Sequence, residues 1–349
     1  MKKGLVAAVI LLVVSFLVVN CVPAPTPTPA TPTPTPKPKL YKWRLAQVHP
    51  VGSDYDKRAR AFADEVREKT EGRIDITVYS GGVLGDWTEN FEMVMRGALD
   101  MALTPIAPTY DPRLNIAYYL PYVAETVEKA KLVYTPGGVI YDETLKMLEP
   151  LNIKGLAVFP VGAAGCTLRE CPPSPGDPDV PKKMKIRVMP LRLCELTYKR
   201  LGYIPTAIPY AECYSAIQTG VVDGEMGGPP FQGYQFRDIQ GCWIQYNDYF
   251  ETWWFFMNKK LWDELSVSDQ KILLDAANKQ ALGRWDYVVE EDEKYRRKME
   301  EYGLKIVMLS DEELAKCANA IRKDVWPEME KLVGKALMDK IYAAVGIER

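Results

Sequence analysis

Residues 185–188 read Lys185-Ile186-Arg187-Val188, and residues 208–225 read Ile208-Pro209-Tyr210-Ala211-Glu212-Cys213-Tyr214-Ser215-Ala216-Ile217-Gln218-Thr219-Gly220-Val221-Val222-Asp223-Gly224-Glu225. The first segment belongs to a short strand, Met184–Val188, closed by Pro190 and followed by a helical pattern over Leu191–Leu201. The second encodes a strand end at Thr206–Ile208, a helix over Ala211–Thr219 with Glu212 in its first turn, a glycine stop, and a strand over Val221–Glu225. Two strand ends therefore fall close to the one that carries Arg187. Open α/β sheets bind ligands outside the carboxyl ends of their strands. A guanidinium placed there can give a carboxylate two parallel hydrogen bonds and stays charged at any relevant pH. Read only as residue types, Arg187 fits a solvated strand charge as well, and Tyr210 and Tyr214 fit core aromatics.

The same alternation runs outward in both directions. Tyr41–Val48 reads as a strand, with a turn at His49-Pro50-Val51-Gly52. A helix beginning at Ser53 or Asp54 then places Ala59, Phe62, Ala63 and Val66 on one face. Arg73–Tyr79 alternates as a strand, the glycines at 81, 82 and 85 lead into a helix over Trp87–Ala98, and Asp100–Thr104 is a short strand. Ala124–Leu148 reads as helical and Ile153–Pro160 as a strand. Residues 171–183 form a proline-rich loop, and Cys242–Tyr246 and Trp253–Met257 read as further strands. The β-α-β-α order predicts mostly parallel sheets covered by helices. From Ser268 to Glu301 about 34 residues are helical without a proline. At ~1.5 Å per residue they span ~50 Å, either as two helices jointed at Gly283 or as one helix lying across two domains.

The 349 residues suffice for two domains. With 44 Lys and Arg against 46 Asp and Glu, a net charge of −2 gives no electrostatic case for nucleic acid. The single histidine, His49, excludes any multi-histidine metal site. The 27 prolines are concentrated near the start. Residues 1–21 carry Lys2 and Lys3, then an apolar run from Leu5 to Val19 that ends at Cys21. This reads as a secretory leader with a lipobox-like end in which Cys21 would be lipidated, although Asn20 departs from the usual small residue. Residues 22–39 alternate proline with threonine; a polyproline II stalk of that kind reaches on the order of 50 Å at ~3.1 Å per residue. The body is thus expected outside the cytoplasm, held to a membrane.

The ordered set Lys185-Ile-Arg-Val188, Leu201-Gly-Tyr-Ile-Pro205, Pro209-Tyr-Ala-Glu-Cys-Tyr214 and Gln218-Thr-Gly-Val-Val-Asp-Gly224 resembles the extracytoplasmic solute receptors of tripartite ATP-independent periplasmic (TRAP) transporters. His49-Pro-Val-Gly-Ser53, Tyr79-Ser-Gly-Gly-Val-Leu-Gly-Asp86, Gly97-Ala-Leu-Asp-Met-Ala102, Met257-Asn-Lys-Lys-Leu-Trp262 and Leu265-Ser-Val-Ser-Asp-Gln270 extend the likeness over residues 41–308 in the right order. The resemblance implies a two-lobed, type II-like periplasmic-binding-protein fold with hinge strands and a long helix spanning both lobes. Lobe I would comprise 41–163 and 253–290, and lobe II 164–252 and 291–349. It implies capture of a small carboxylate between the lobes and delivery to membrane permease subunits, by a monomer that needs neither metal nor cofactor. Arg187 falls on the family's carboxylate-binding arginine, Tyr210 on an aromatic wall, and Gln47, His49, Asp86 and Thr104 at or beside the first lobe's ligand positions.

The departures bear on the ligand. Where the family often reads Asp-Gly-x-Glu-Asn-Pro, this chain has Asp223-Gly-Glu-Met-Gly-Gly-Pro229, so Gly227 removes a polar side chain near Glu225. A usual Asn-His pair becomes Asn247-Asp248, followed by Trp253-Trp254-Phe255-Phe256. Arg169 is out of register with the second arginine of some members. One arginine with Tyr210, Trp253 and Trp87 points to a monocarboxylate with an apolar or aromatic part. Six cysteines follow Cys21, and exported chains allow disulfides. Cys166 with Cys171, and Cys194 with Cys213, are candidate pairs beside the alternative of free buried thiols. The run Glu290-Glu291-Asp292-Glu293 reads as a solvated helix face. A surface-anchored hydrolase using Glu225 and Asp248, and a sensor subunit on the same fold, are the rival functions.

Overall fold

A computed structural model describes residues 39–348. The apolar leader, Cys21 and the stalk up to residue 38 lie outside the described residues. Among the described residues, no helix is long and apolar enough to cross a membrane. The first sheet takes strands β1 (Tyr41–Ala46), β2 (Ile74–Tyr79), β3 (Met101–Thr104) and β4 (Ile153–Ala163). The second takes β5 (Cys166–Leu168), β6 (Lys185–Val188), β7 (Ile204–Ala207), β8 (Gly224–Met226) and β9 (Cys242–Gln245). The chain then returns to the first sheet as β10 (Phe250–Asn258) and adds β11 (Lys305–Met308) to the second. The orders are β2-β1-β3-β10-β4 and β11-β9-β5-β8-β6-β7.

Local sequence accounts for these elements. In β1, Trp43 and Leu45 alternate inward, as a half-buried strand requires. The Ser53 hydroxyl accepts from the Asp56 amide and starts the helix Asp54–Lys69, whose Ala59, Phe62, Ala63 and Val66 are buried at the predicted spacing. Asp86 and Glu89 form a capping box that starts the helix Trp87–Arg96. The stretch Ala124–Leu148, expected as one helical region, is two helices, Val127–Tyr134 and Val139–Leu148. Pro136-Gly137-Gly138 separates them, as proline and glycine do.

The backbone passes between the sheets three times. β4 runs on into β5 through Ala163–Gly165, and β9 into β10 through Tyr246–Tyr249. The third passage is the long helical stretch. It is not one helix, and its joint is not at Gly283: it divides into Val267–Trp285 and Val288–Tyr302, with Asp286 and Tyr287 between them. Gly283 instead makes room for Arg58, whose guanidinium would meet a Cβ there at 3.0 Å. The first helix packs on β4 and on Asp54–Lys69, the second on β11 and on the helix Pro230–Gln235. Gln245 ties the first two passages together by donating to the Ala163 and Ala164 carbonyls at 3.0 and 3.1 Å.

Two expectations change here. Residues 291–349 do not all stay with the second sheet. The helix Asp311–Asp324 packs on Arg192–Arg200, but Lys335–Ala344 packs on the first lobe's Val139–Leu148, and Trp326 donates to the Pro121 carbonyl at 2.7 Å. The run Glu290–Glu293 is not uniformly solvated either. Glu291 and Asp292 are buried, Glu291 against Arg284 and Asp292 against the Ala163 amide, while Glu293 faces Arg296 and Arg297.

Candidate functional site

β6 and β8 are parallel neighbours, and Arg187 stands directly opposite Glu225. Side chains in register on adjacent strands share a face, so the two must interact. Arg187 Nη1 donates to Glu225 Oε2 at 3.2 Å and Nε donates to the Ile208 carbonyl at 2.9 Å. Both are buried, at 3% and 1% exposure. Burial pushes the Glu225 carboxyl up to about 7, with Arg187 pulling the other way. Tyr210 opens the helix Tyr210–Gln218 and sets its ring 5.6 Å from the Arg187 guanidinium. One turn later Cys213 brings its thiol to 3.5 Å from Glu225 Oε2.

The first lobe meets this pair from across the interlobe side. Asp86 feels the Arg187 charge, although burial is the larger influence and raises its carboxyl. Trp87 packs 5.3 Å from Tyr118, and the Tyr118 hydroxyl donates to Met189 Sδ at 2.9 Å, two residues beyond Arg187. Arg187, Glu225, Tyr210, Asp86 and Trp87 are thus one neighbourhood.

Gln47, His49 and Trp253 form a second, packed group. His49 stacks on Trp253 with ring centroids 4.3 Å apart, and touches Tyr55 and Phe231. Burial lowers its pKa to about 3, with Arg284 contributing, so the ring is neutral. The Gln47 amide is spent on the backbone of His49, through both its oxygen and its nitrogen. Trp253 Nε1 donates to Glu251 at 2.8 Å, and Gln232 reaches the other Glu251 oxygen at 2.9 Å. Burial lifts Glu251 to about 7; Glu225 adds repulsion, which links the two groups.

Two expected residues, Thr104 and Asp248, stand elsewhere, whereas Gly227 adjoins Glu225. Thr104 is buried in β3 opposite Trp254, its hydroxyl donating to the Pro105 carbonyl. Asp248 takes a hydrogen bond from Tyr119 at 3.1 Å and is raised by burial to about 7. It shares no hydrogen-bond partner with Glu225, although the buried Cys166 thiol feels both carboxyls. Gly227 donates to the Gly165 carbonyl at 2.8 Å, and a Cβ there would lie 3.5 Å from Glu225 Oε1. An interlobe groove of about 460 Å³ between Pro108–Asn115 and Pro190–Leu193 contains none of these residues.

The cysteine pairing differs from both candidates. Cys171 is bonded to Cys242, while Cys166, Cys194 and Cys213 are free and buried. The antiparallel register that sets Leu168 opposite Cys242 brings the start of the loop to β9. Arg169 bonds the Ile217 carbonyl at the end of the helix that carries Tyr210, which explains its place outside the ligand arrangement. Sequence reasoning missed Glu251, Tyr118 and Met189. Glu251 had a signal: it is the one acid in the apolar run Phe250–Met257.

Residues 45–332 match the bacterial extracellular solute-binding proteins, family 7. The chain belongs to that family. A solute-binding protein of Chromohalobacter salexigens is 28% identical over 302 residues, covering 83% of this chain and 87% of the relative. A TRAP periplasmic solute-binding protein from Ochrobactrum anthropi superposes with a TM-score of 0.78 at 21% identity, covering 88% and 95% of the two chains. One from Chromohalobacter salexigens with bound D-glucuronate gives 0.77 at 24% identity, covering 88% and 100%. The protein is an extracytoplasmic solute receptor of the TRAP type with the two-lobed α/β fold that its sequence predicted.

Proposed function

We propose that this receptor captures a small organic acid between its lobes, anchors the acid's carboxylate on Arg187, and passes it to the membrane permease subunits of a TRAP transporter. The observation that carries the reading is the buried guanidinium at the end of β6. Two of its nitrogens, Nε and Nη1, are engaged within the protein, and Nη2 is the one left to meet a ligand oxygen. Tyr210 and Trp87 shape the space beside it. With one arginine in the neighbourhood, a monocarboxylate with an apolar or aromatic portion fits better than a dicarboxylate. The D-glucuronate bound by a relative is an acid of the same general class. Ligand binding biases an opening and closing equilibrium; the event is a population shift, with no covalent step. Cys21 is the proposed lipid anchor, the proline-threonine segment the stalk, and the acting unit a monomer.

The test is thermal stabilisation by a panel of small acids, with mass spectrometry of whatever co-purifies. Arg187→Ala should lose nearly all ligand-induced stabilisation, and Arg187→Lys most of it, because an ammonium cannot keep the Ile208 and Glu225 bonds that orient the guanidinium and still present Nη2 to the ligand. Unchanged binding in Arg187→Ala sinks the anchor, and turnover of an acid by purified protein would favour the hydrolase instead.

A further inference from the structure

The charges around the proposed anchor do not balance for a simple acid. Arg187 contributes one positive charge. Glu225 and Glu251 contribute two carboxyl groups, at 1% and 5% exposure. Asp86 is a third acid within electrostatic reach of the arginine. Arg187 is the cation that acts on Glu225, and Glu251 is held by two neutral donors, Trp253 and Gln232. A ligand carboxylate would add another negative charge to a dry site that already holds more acids than bases. Buried charges persist only when they are paired and hydrogen-bonded.

We propose that the ligand is a zwitterion, an acid whose protonated or quaternary nitrogen faces Glu225 while its carboxylate meets Arg187. The inference rests on the receptor reading above and narrows its substrate class. Three further observations support it. Glu225 Oε1 is buried without a hydrogen-bond partner, so a carboxyl oxygen stands unused beside the anchor. Such an atom is costly to leave unmet and accepts an N–H⁺ donor well. Gly227 adds no side chain of its own beside that oxygen: a Cβ there would stand 3.5 Å from it, with the Gly165 carbonyl at 3.3 Å and the Trp243 ring at 3.6 Å. The rings of Tyr210, Tyr118 and Trp87 line the same neighbourhood, and aromatic faces attract cations. The ion pair within the protein would then be exchanged, on closure, for a four-charge arrangement in which each ligand charge faces its opposite.

The experiment uses matched probes: γ-aminobutyrate against butyrate, phenylalanine against 3-phenylpropionate, and glycine betaine against 3-methylbutyrate. Affinities are measured calorimetrically, on the mature chain freed of co-purified ligand. At least one zwitterion should bind about tenfold or more tightly than its nitrogen-free partner. Glu225→Gln should erase that preference, read as the ratio of the two affinities within each matched pair. Glu251→Gln, which leaves the Arg187–Glu225 pair intact, serves as a second variant should Glu225→Gln fold poorly, and should weaken the preference in the same direction. Nitrogen-free acids that bind as well as their partners, tightening as the pH falls from 8 to 6, would overturn the inference: protons on Glu225 and Glu251 would then supply the missing positive charge. A nitrogen-free acid as the sole co-purified ligand would overturn it too. Carboxylate binding that needs Arg187 but ignores the amine refutes the zwitterion alone. Zwitterion binding that survives Arg187→Ala refutes the anchor.

Discussion

At the scale of single residues, burial decides more than identity. Arg187 was legible as a charged residue at a strand end, but its partner was not, because strand register is a tertiary fact. Only the parallel pairing of β6 and β8 places Glu225 opposite it. His49 shows the converse. Its loop was correctly located, yet the side chain is walled in by Trp253, Tyr55 and Phe231. Its pKa near 3 lies below the unfolded value of about 6.5. A lowered histidine pKa means that the folded chain binds fewer protons. The associated stability is present above about 6.5 and is lost as the pH falls toward 3. Because it is the sole histidine, its titration can be followed by NMR without assignment. The imidazole should remain neutral down to about pH 4; a midpoint near 6.5 would contradict the packing. His49→Phe should keep the stack and raise stability at pH 5 relative to pH 8 by roughly 2 kcal/mol, read from denaturant unfolding at both pH values.

At the scale of elements, local patterns were read well and their ends less so. The alternation of Trp43 and Leu45 and the three-four spacing from Ala59 to Val66 place strand and helix correctly, because each pattern is local. The long helical stretch was seen at its true extent but not at its joint. Gly283 drew attention as a helix breaker, whereas the break at Asp286–Tyr287 follows from the two sheets against which the flanking helices pack. Cysteine pairing was illegible for a similar reason. Cys171 and Cys242 are 71 residues apart and meet only because β5 lies beside β9. Closing a loop of that length is worth about 4 kcal/mol in the chain-entropy account. Cys171→Ser with Cys242→Ser should therefore lower Tm by several degrees, and a reductant should lower the wild-type Tm similarly while leaving the double variant unchanged. Equal Tm values for the two proteins would show that the bridge adds nothing to the strand pairing around it.

At the scale of the molecule, the three passages between sheets converge on a few buried polar groups. Arg284 donates to the Pro160 and Val161 carbonyls at 3.1 and 3.3 Å and holds Glu291, and Asp292 takes the Ala163 amide at 3.3 Å. This cluster holds the three passages together, and it explains why Glu291 and Asp292 left the solvated face that their neighbours keep. Asp292 is raised by burial to about 8, against an unfolded value near 3.9. A raised carboxyl pKa means that the folded chain holds its proton longer. The associated stability is present below about pH 4 and is lost as the pH climbs through 8. Asp292→Asn keeps an acceptor for the Ala163 amide and removes the charge. Relative to wild type, its Tm should be little changed near pH 4, and the gap should widen by a few degrees up to pH 8 and stay flat beyond. The other raised carboxyls titrate alike in both proteins, so they cancel in the difference when they lie apart from residue 292. A gap that is constant from pH 5 to 9 would mean that Asp292 reaches water, and the cluster would then be wetter than its buried contacts describe.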